Sequence, residues 1–217
     1  MNFASRLLNL TQMEIYNEYV RFIQEVKIMK VVQPIRDLKQ LEAVKGYLRG
    51  KNKRDFLLFM VGISSALRIS DILKLRVNQV WDGRKPTEFI EVNEKKTGKY
   101  KRFPITPNLA KSIKEFMKEF PDKKLDDFLF TSRKGTNQPI TRQYAASVLN
   151  EACDMVGIKE RFGTHGMRKT WALFAFKKGI SLDYICIALN HRSVAETKRY
   201  IGILQEDLDE LYLQVNL

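Results

Sequence analysis

A chain of 217 residues that is 44% hydrophobic, 11% aromatic and 29% charged can bury a sizeable core and is neither a disordered tail nor a repeat array. Its 38 Lys and Arg against 25 Asp and Glu leave a formal net charge of +13, a surplus that favours a polyanionic partner. Two cysteines without CxxC spacing, an apolar run from Phe56 to Leu67 broken by Gly62, Ser64 and Ser65, and an N-terminal MNFASRLLNLTQ with no apolar segment or cleavage site argue against a disulfide framework, a Cys-based zinc site, a membrane span and a secretory signal, so the expected setting is the reducing cytoplasm.

In chain order, Thr11 and Glu14 resemble a capping box, and Met13, Tyr16, Tyr19, Val20, Ile23 and Val26 continue at helical spacing, which predicts a helix over 12–29. A second helix is expected after Asp37, with Leu38, Leu41, Val44 and Leu48 on one face and Gly50 at its end, so residues 30–36 are the best internal boundary. Arg54 to Leu67 is apolar nearly all round, as a buried helix is. The pattern then changes to strands: Phe89–Val92 and Arg102–Ile105 flank EKKTGKYK, whose Gly98 can take a positive φ, and together they predict a hairpin with lysines at its tip. A helix over 108–120, a short strand at Phe128–Phe130, helices over 141–156, 166–178 and 182–189, a turn at 195–200 and a helix over 205–215 complete the reading. Trp81 and Trp171 are expected in the core. The fold class is α+β, predominantly α-helical with a small antiparallel β-sheet.

Phosphodiester chemistry requires cations around the phosphoryl oxygens, an in-line nucleophile and a proton source for the leaving oxygen. Candidates for each are present. Arg68 lies in ALRISD and Arg168 in THGMRKT; His165, three residues before Arg168, shares a helix face with it and stands near that helix's N-terminus. His191 precedes Tyr200 by nine residues in LNHRSVAETKRY. Each fragment alone has a plainer reading: Arg68 as a structural ion-pair partner, the histidines as ordinary core or surface residues, Tyr200 as half-buried packing, and the hairpin lysines as a solvated tip.

The ordered set ALRISD, EKKTGK, THGMRKT, LNH and RY, with the stretch GTNQPITRQYAASVLNEACDMVGI leading to HxxR, resembles the tyrosine recombinase family, the phage-integrase-like enzymes, over residues 36–217. That resemblance implies a recombinase catalytic fold and a site-specific DNA recombinase or integrase acting through a 3′-phosphotyrosine and a Holliday junction. Carried over position by position, Arg68 and Arg168 would hold the non-bridging oxygens, Tyr200 would attack phosphorus, and Lys96 would protonate the departing 5′ oxygen. His165 would assist proton transfer, His191 would donate a hydrogen bond, and Asp71 would orient Arg68 without binding metal.

No cofactor is implied, since the phosphotyrosine retains the bond energy for rejoining and no GxxxxGK[ST] loop is present. The implied partners are double-stranded DNA, further copies of the chain (a dimer per site, a tetramer in the synapse) and DNA-bending accessory proteins. Departures from the family pattern are Ala66 for glycine, Asp71 for glutamate, Lys169 after HxxR and Asn190 for the glycine before histidine. About 35 residues precede the catalytic segment, a helical extension (1–35) too short for the usual core-binding domain, as in a compact invertase or a prophage relic. The apolar stripe Leu204, Leu208, Leu211, Tyr212 and Val215 predicts a tail helix over 204–217 that packs on its own domain or on a neighbouring protomer. Competing readings are a type IB topoisomerase, an inert DNA-binding accessory protein, and a metal-dependent nuclease, which the scattered Asp71, Asp126 and Asp127 do not favour.

Overall fold

A computed structural model describes residues 32–94 and 98–202 and, beyond them, residues 209, 212, 213 and 215. The helix expected over 12–29 lies outside the described residues. The first described segment is tied to the C-terminal half of the chain: the Gln33 N–H donates to Arg161 O (2.9 Å), the Ile35 N–H donates to Thr170 Oγ1 (3.0 Å), and Ile35 is buried.

Helix α1 (Leu38–Lys51) starts where Asp37, in an extended conformation, accepts from the Lys39 N–H. Leu41, Val44 and Leu48 face inward, while Leu38 is 58% exposed. Gly50 does not end the helix: it runs to Lys51, and Asn52, swung to φ −161°, closes it and caps the next by accepting from the N–H groups of Arg54 and Asp55. Helix α2 (Lys53–Ser65) is buried from Arg54 to Gly62, as its all-round apolar sequence requires. It stops at Ala66, which takes the left-handed conformation (φ 52°) usually reserved for glycine. Arg68 then leads into the single-turn α3 (Ile69–Ile72).

After a 3₁₀ turn at Val77–Gln79, β1 (Phe89–Asn93) pairs antiparallel with β2 (Tyr100–Pro104), Ile90 opposite Phe103 and Val92 opposite Lys101. Gly98 has φ 66°, as the turn demands. The strand expected at Phe128–Phe130 is not a ladder. Isolated bridges join Arg76 to Phe128 and Thr131 to Pro139, and Leu129 and Phe130 are both fully buried. Burial of successive side chains is incompatible with a strand exposing one face, so these residues plug the core as an irregular segment. Helix α4 (Pro107–Glu119) is capped by Thr106 and opened by proline, and α5 (Arg142–Met155) is capped by Thr141.

Helix α6 (Gly163–Lys177) begins three residues earlier than the sequence suggests, because the Gly163 N–H is taken by Asn150 Oδ1 (2.8 Å). Helix α7 (Leu182–Leu189) ends at left-handed Asn190 (φ 54°). The turn expected at 195–200 is a two-turn helix, α8 (Val194–Ile201), stabilised by the Ser193 cap and Glu196 in its first turn. Of the expected tail helix, residues 209, 212, 213 and 215 are helical and exposed; the others lie outside the described residues.

A large core joins α1, α2, α4, α5 and the hairpin, and a smaller one, built on Ala66, Ala172, Leu173, Ile185, Leu189 and Ile201, lies under α6–α8. Trp81 packs half-buried against the first and Trp171 against the second. Predominantly helical with one two-stranded antiparallel sheet among the described residues, the architecture matches the α+β expectation.

Candidate active site

The seam between the two cores gathers the charged motifs. The α2–α3 joint presents Arg68, whose Nη1 lies 2.9 Å from Glu94 Oε2. Asp71, one turn on, is 4% exposed, and its backbone N–H donates to Arg68 O (2.9 Å), closing the turn that carries the arginine.

Helix α6 contributes His165 and Arg168 on one face. Arg168 is 4% exposed, and its guanidinium donates to two backbone carbonyls, Ala66 O and Leu189 O. One side chain thus ties the left-handed end of α2 to the last turn of α7. Burial pulls the Arg168 pKa down, with Arg68 acting in the same sense and Tyr200 and Glu94 opposing. His165 lies with Nε2 3.3 Å from Arg142 Nη2 at the start of α5. Since a guanidinium only donates, Nε2 accepts and the ring proton belongs on Nδ1. Burial lowers the His165 pKa, and Arg142, Arg168, Lys169 and Arg68 add to the effect, so the ring is neutral at pH 7.

The turn after α7 and helix α8 supply His191 and Tyr200, whose rings meet edge-on at 4.8 Å. His191 Nδ1 is 3.0 Å from Thr197 Oγ1, whose hydroxyl donates to Ser193 O (3.3 Å), an arrangement that favours the Nδ1–H tautomer. Burial lowers the His191 pKa, against Glu196 and with Arg168 and Arg68. The Tyr200 hydroxyl is buried, and its ring lies 5.3 Å below the Lys169 ammonium. Burial pushes the phenol's pKa up, while the charge and donor of Arg168 and the charge of Arg68 pull it down.

The structure therefore brings Arg68, Asp71, His165, Arg168, His191 and Tyr200 into one region, and Lys96 lies outside the described residues. Three contributors escaped sequence reasoning. Glu94, 1% exposed, accepts from Asn190 Nδ2 (2.9 Å) besides facing Arg68. Lys101 donates to Ala188 O (2.8 Å), and burial, with Arg168 and Arg68, lowers its pKa to about 8 against the pull of Glu94 and Asp71. Arg142 is the third. Strand alternation carried the signal for the first two: Ile90, Val92 and Glu94 share one parity, Lys101 and Phe103 the other strand's matching one, so both charges fall on the inward face. Arg142 had no such signal.

Chemically, the site offers two guanidiniums, a half-buried lysine and two neutral imidazoles around one phenol, a set suited to an anionic group undergoing displacement at phosphorus. Among the described residues no three His, Cys, Asp or Glu stand where they could hold a metal ion.

The phage integrase family model matches residues 35–206. A probable integrase/recombinase, YoeC of Bacillus subtilis, is 40% identical over 184 residues, spanning 85% of this chain and 97% of that protein. A tyrosine recombinase of Pseudothermotoga lettingae is 26% identical over 157 residues, 72% of this chain but 52% of that one. Among solved structures, XerA recombinase aligns with a TM-score of 0.71 at 17% identity, over 87% of this chain and 66% of that chain. A lambda integrase dimer bound to a COC′ core site aligns at 0.59 and 14%, over 79% and 60%. The chain thus spans nearly all of the first relative and roughly half to two thirds of the others.

Proposed function

The chain belongs to the phage integrase family, and we propose on that premise that it is a site-specific recombinase that breaks and rejoins DNA through a 3′-phosphotyrosine. The observation that carries this reading is the position of Tyr200: a phenol close to the C-terminal end has its hydroxyl buried beside Arg168, within the field of Arg68, although the three residues come from distant parts of the sequence.

On this reading residues 36–217 are the catalytic domain. The Tyr200 oxygen attacks the scissile phosphorus and the bond from phosphorus to the 5′ oxygen breaks. The phenol's proton leaves with the help of His165, whose neutral ring can receive it. The departing 5′ oxygen takes a proton from Lys96. Arg68 and Arg168 hold the non-bridging oxygens, Asp71 orients Arg68, and His191 contributes a hydrogen bond to the phosphate. A free phenol is only about 0.1% ionised at pH 7, and burial of Tyr200 suppresses ionisation further, so the charge of the guanidiniums must act as the phenolate develops.

Rejoining is the same displacement run backwards by a 5′ hydroxyl from a partner duplex. Two protomers per site and four per synapse, exchanging strands through a Holliday junction, complete the cycle; DNA-bending proteins are candidate helpers, and the cytoplasm is the setting. Duplex binding through phosphate contacts should weaken steeply with salt.

The test uses DNA carrying the inverted repeats nearest the coding region, with a nick that lets the 5′ fragment diffuse away. The protein should form a covalent adduct on denaturing gels, Tyr200→Phe should form none, and chelator should change nothing. An adduct with Tyr200→Phe would overturn the reading. Joining of two sites, rather than plasmid relaxation alone, separates a recombinase from a topoisomerase.

A further inference from the structure

The two guanidiniums of the site are already engaged before any phosphate arrives. Arg168 donates to Ala66 O and Leu189 O, contacts that build the seam itself. Arg68 faces a different partner: Glu94 Oε2 at 2.9 Å, an oxygen that also accepts from Asn190 Nδ2 at 2.9 Å. Lys99 Nζ in turn donates to Asn190 Oδ1 (3.1 Å). Asn190 can meet the hairpin in this way because its left-handed backbone (φ 54°) turns the chain out of α7. The hairpin is therefore fastened to the α7–α8 turn by both ends of one amide, and Glu94 carries that fastening through to Arg68.

Glu94 is 1% exposed and cations surround it: Arg68 in contact, with Arg168 and Lys101 in the same field. A phosphodiester oxygen entering the site is drawn to the same Arg68 guanidinium and brings a second negative charge beside the carboxylate. Like charges at such spacing repel strongly in a partly dry site.

We propose that Glu94, held by Asn190, is a positioning residue that occupies Arg68 until a phosphate takes its place. The inference deepens the recombinase reading by naming what holds Arg68 before a phosphate binds; the exchange at Arg68 stands on the contacts alone.

The test titrates inorganic phosphate into the full-length protein without DNA, following the ring signals of the chain's two histidines by NMR. Glu94→Gln keeps the shape and removes the competing charge, and should lower the half-saturating phosphate concentration at least about tenfold. Asn190→Gly suits the left-handed position and removes one hold on Glu94, and should lower it less. Adding Asn190→Gly to Glu94→Gln should gain nothing more, since both act on one contact. An unchanged or higher half-saturation in Glu94→Gln would overturn the proposal, as would additive effects; if Glu94→Gln does not fold, an unchanged Asn190→Gly decides against it. Adduct formation by the wild-type protein on nicked duplex is scored separately: its absence defeats the recombinase reading and leaves the exchange at Arg68 standing.

Discussion

Replacing Arg168 by methionine separates what this side chain does for the fold from what it does for the phosphate. The guanidinium bridges Ala66 O and Leu189 O in a site 4% exposed, so its loss strands two buried acceptors at about 1–3 kcal/mol each. Against that, the buried cation is itself held at a cost, which its lowered pKa registers, and an apolar side chain of similar volume recovers part of the difference. The net loss should be about 2 kcal/mol, which for a domain of this size lowers Tm by roughly 4–8 °C. Arg168→Lys keeps the charge but cannot span both carbonyls, and should fall between. Thermal unfolding without DNA measures the first effect. Single-turnover cleavage of nicked duplex, at a temperature where every variant is folded, measures the second, and there Arg168→Met should be slower by about 10²–10³ or more. An unaltered Tm would refute the tethering role; cleavage at the wild-type rate would refute the phosphate role.

Four further outcomes are expected from neighbouring contacts. Gly166→Ala places a Cβ 2.3 Å from Phe162 Cδ2, inside a ring that is 1% exposed; overpacking should outweigh the gain in helix propensity and cost about 1–2 kcal/mol in urea unfolding, and a stabilised variant would contradict the packing. Tyr144→Phe removes a hydroxyl that accepts from Arg54 Nη2 (2.6 Å) and donates to Asp55 Oδ2 (3.0 Å); a loss of about 1–3 kcal/mol is expected, and a neutral result would mean that water replaces it. Because the Lys101 pKa falls from 10.5 to about 8 on folding, the unfolded chain binds more protons between those values and stability should climb with pH across that window; Lys101→Met should flatten the climb, and equal slopes would refute the burial of its charge. Finally, Lys96→Ala should slow cleavage more than His165→Gln, because the leaving alkoxide is a stronger base than the phenolate; a substrate with sulfur at the 5′ bridging position, which leaves without a proton, should rescue only the lysine variant, and equal rescue of both would remove Lys96 from its role.

Much of the site was legible along the chain because its determinants are local. The three-residue spacing of His165 and Arg168 fixes their common face on any helix, and the caps at Asp37, Thr106, Thr141 and Ser181 announce where helices begin. Alternation around Gly98 specified the hairpin. Local pattern and burial diverge in two places: Phe128–Phe130 reads as a strand by composition, yet with isolated bridges in place of a ladder it fills the core irregularly, and residues 195–200, short enough to read as a turn, become a helix once Ser193 caps them and Thr197 and Ile201 are buried.

By itself, then, the sequence determined the helical fold class, the basic character and the order of reactive side chains, all consequences of spacing and composition that survive any arrangement in space. Tertiary structure alone decided that the Arg168 guanidinium would meet a carbonyl 102 residues away, that Arg142 would set the tautomer of His165, and that Glu94 would stand between Arg68 and Asn190. Contacts of that kind depend on how two cores dock along one seam, and docking is a property of complementary surfaces that no local periodicity encodes.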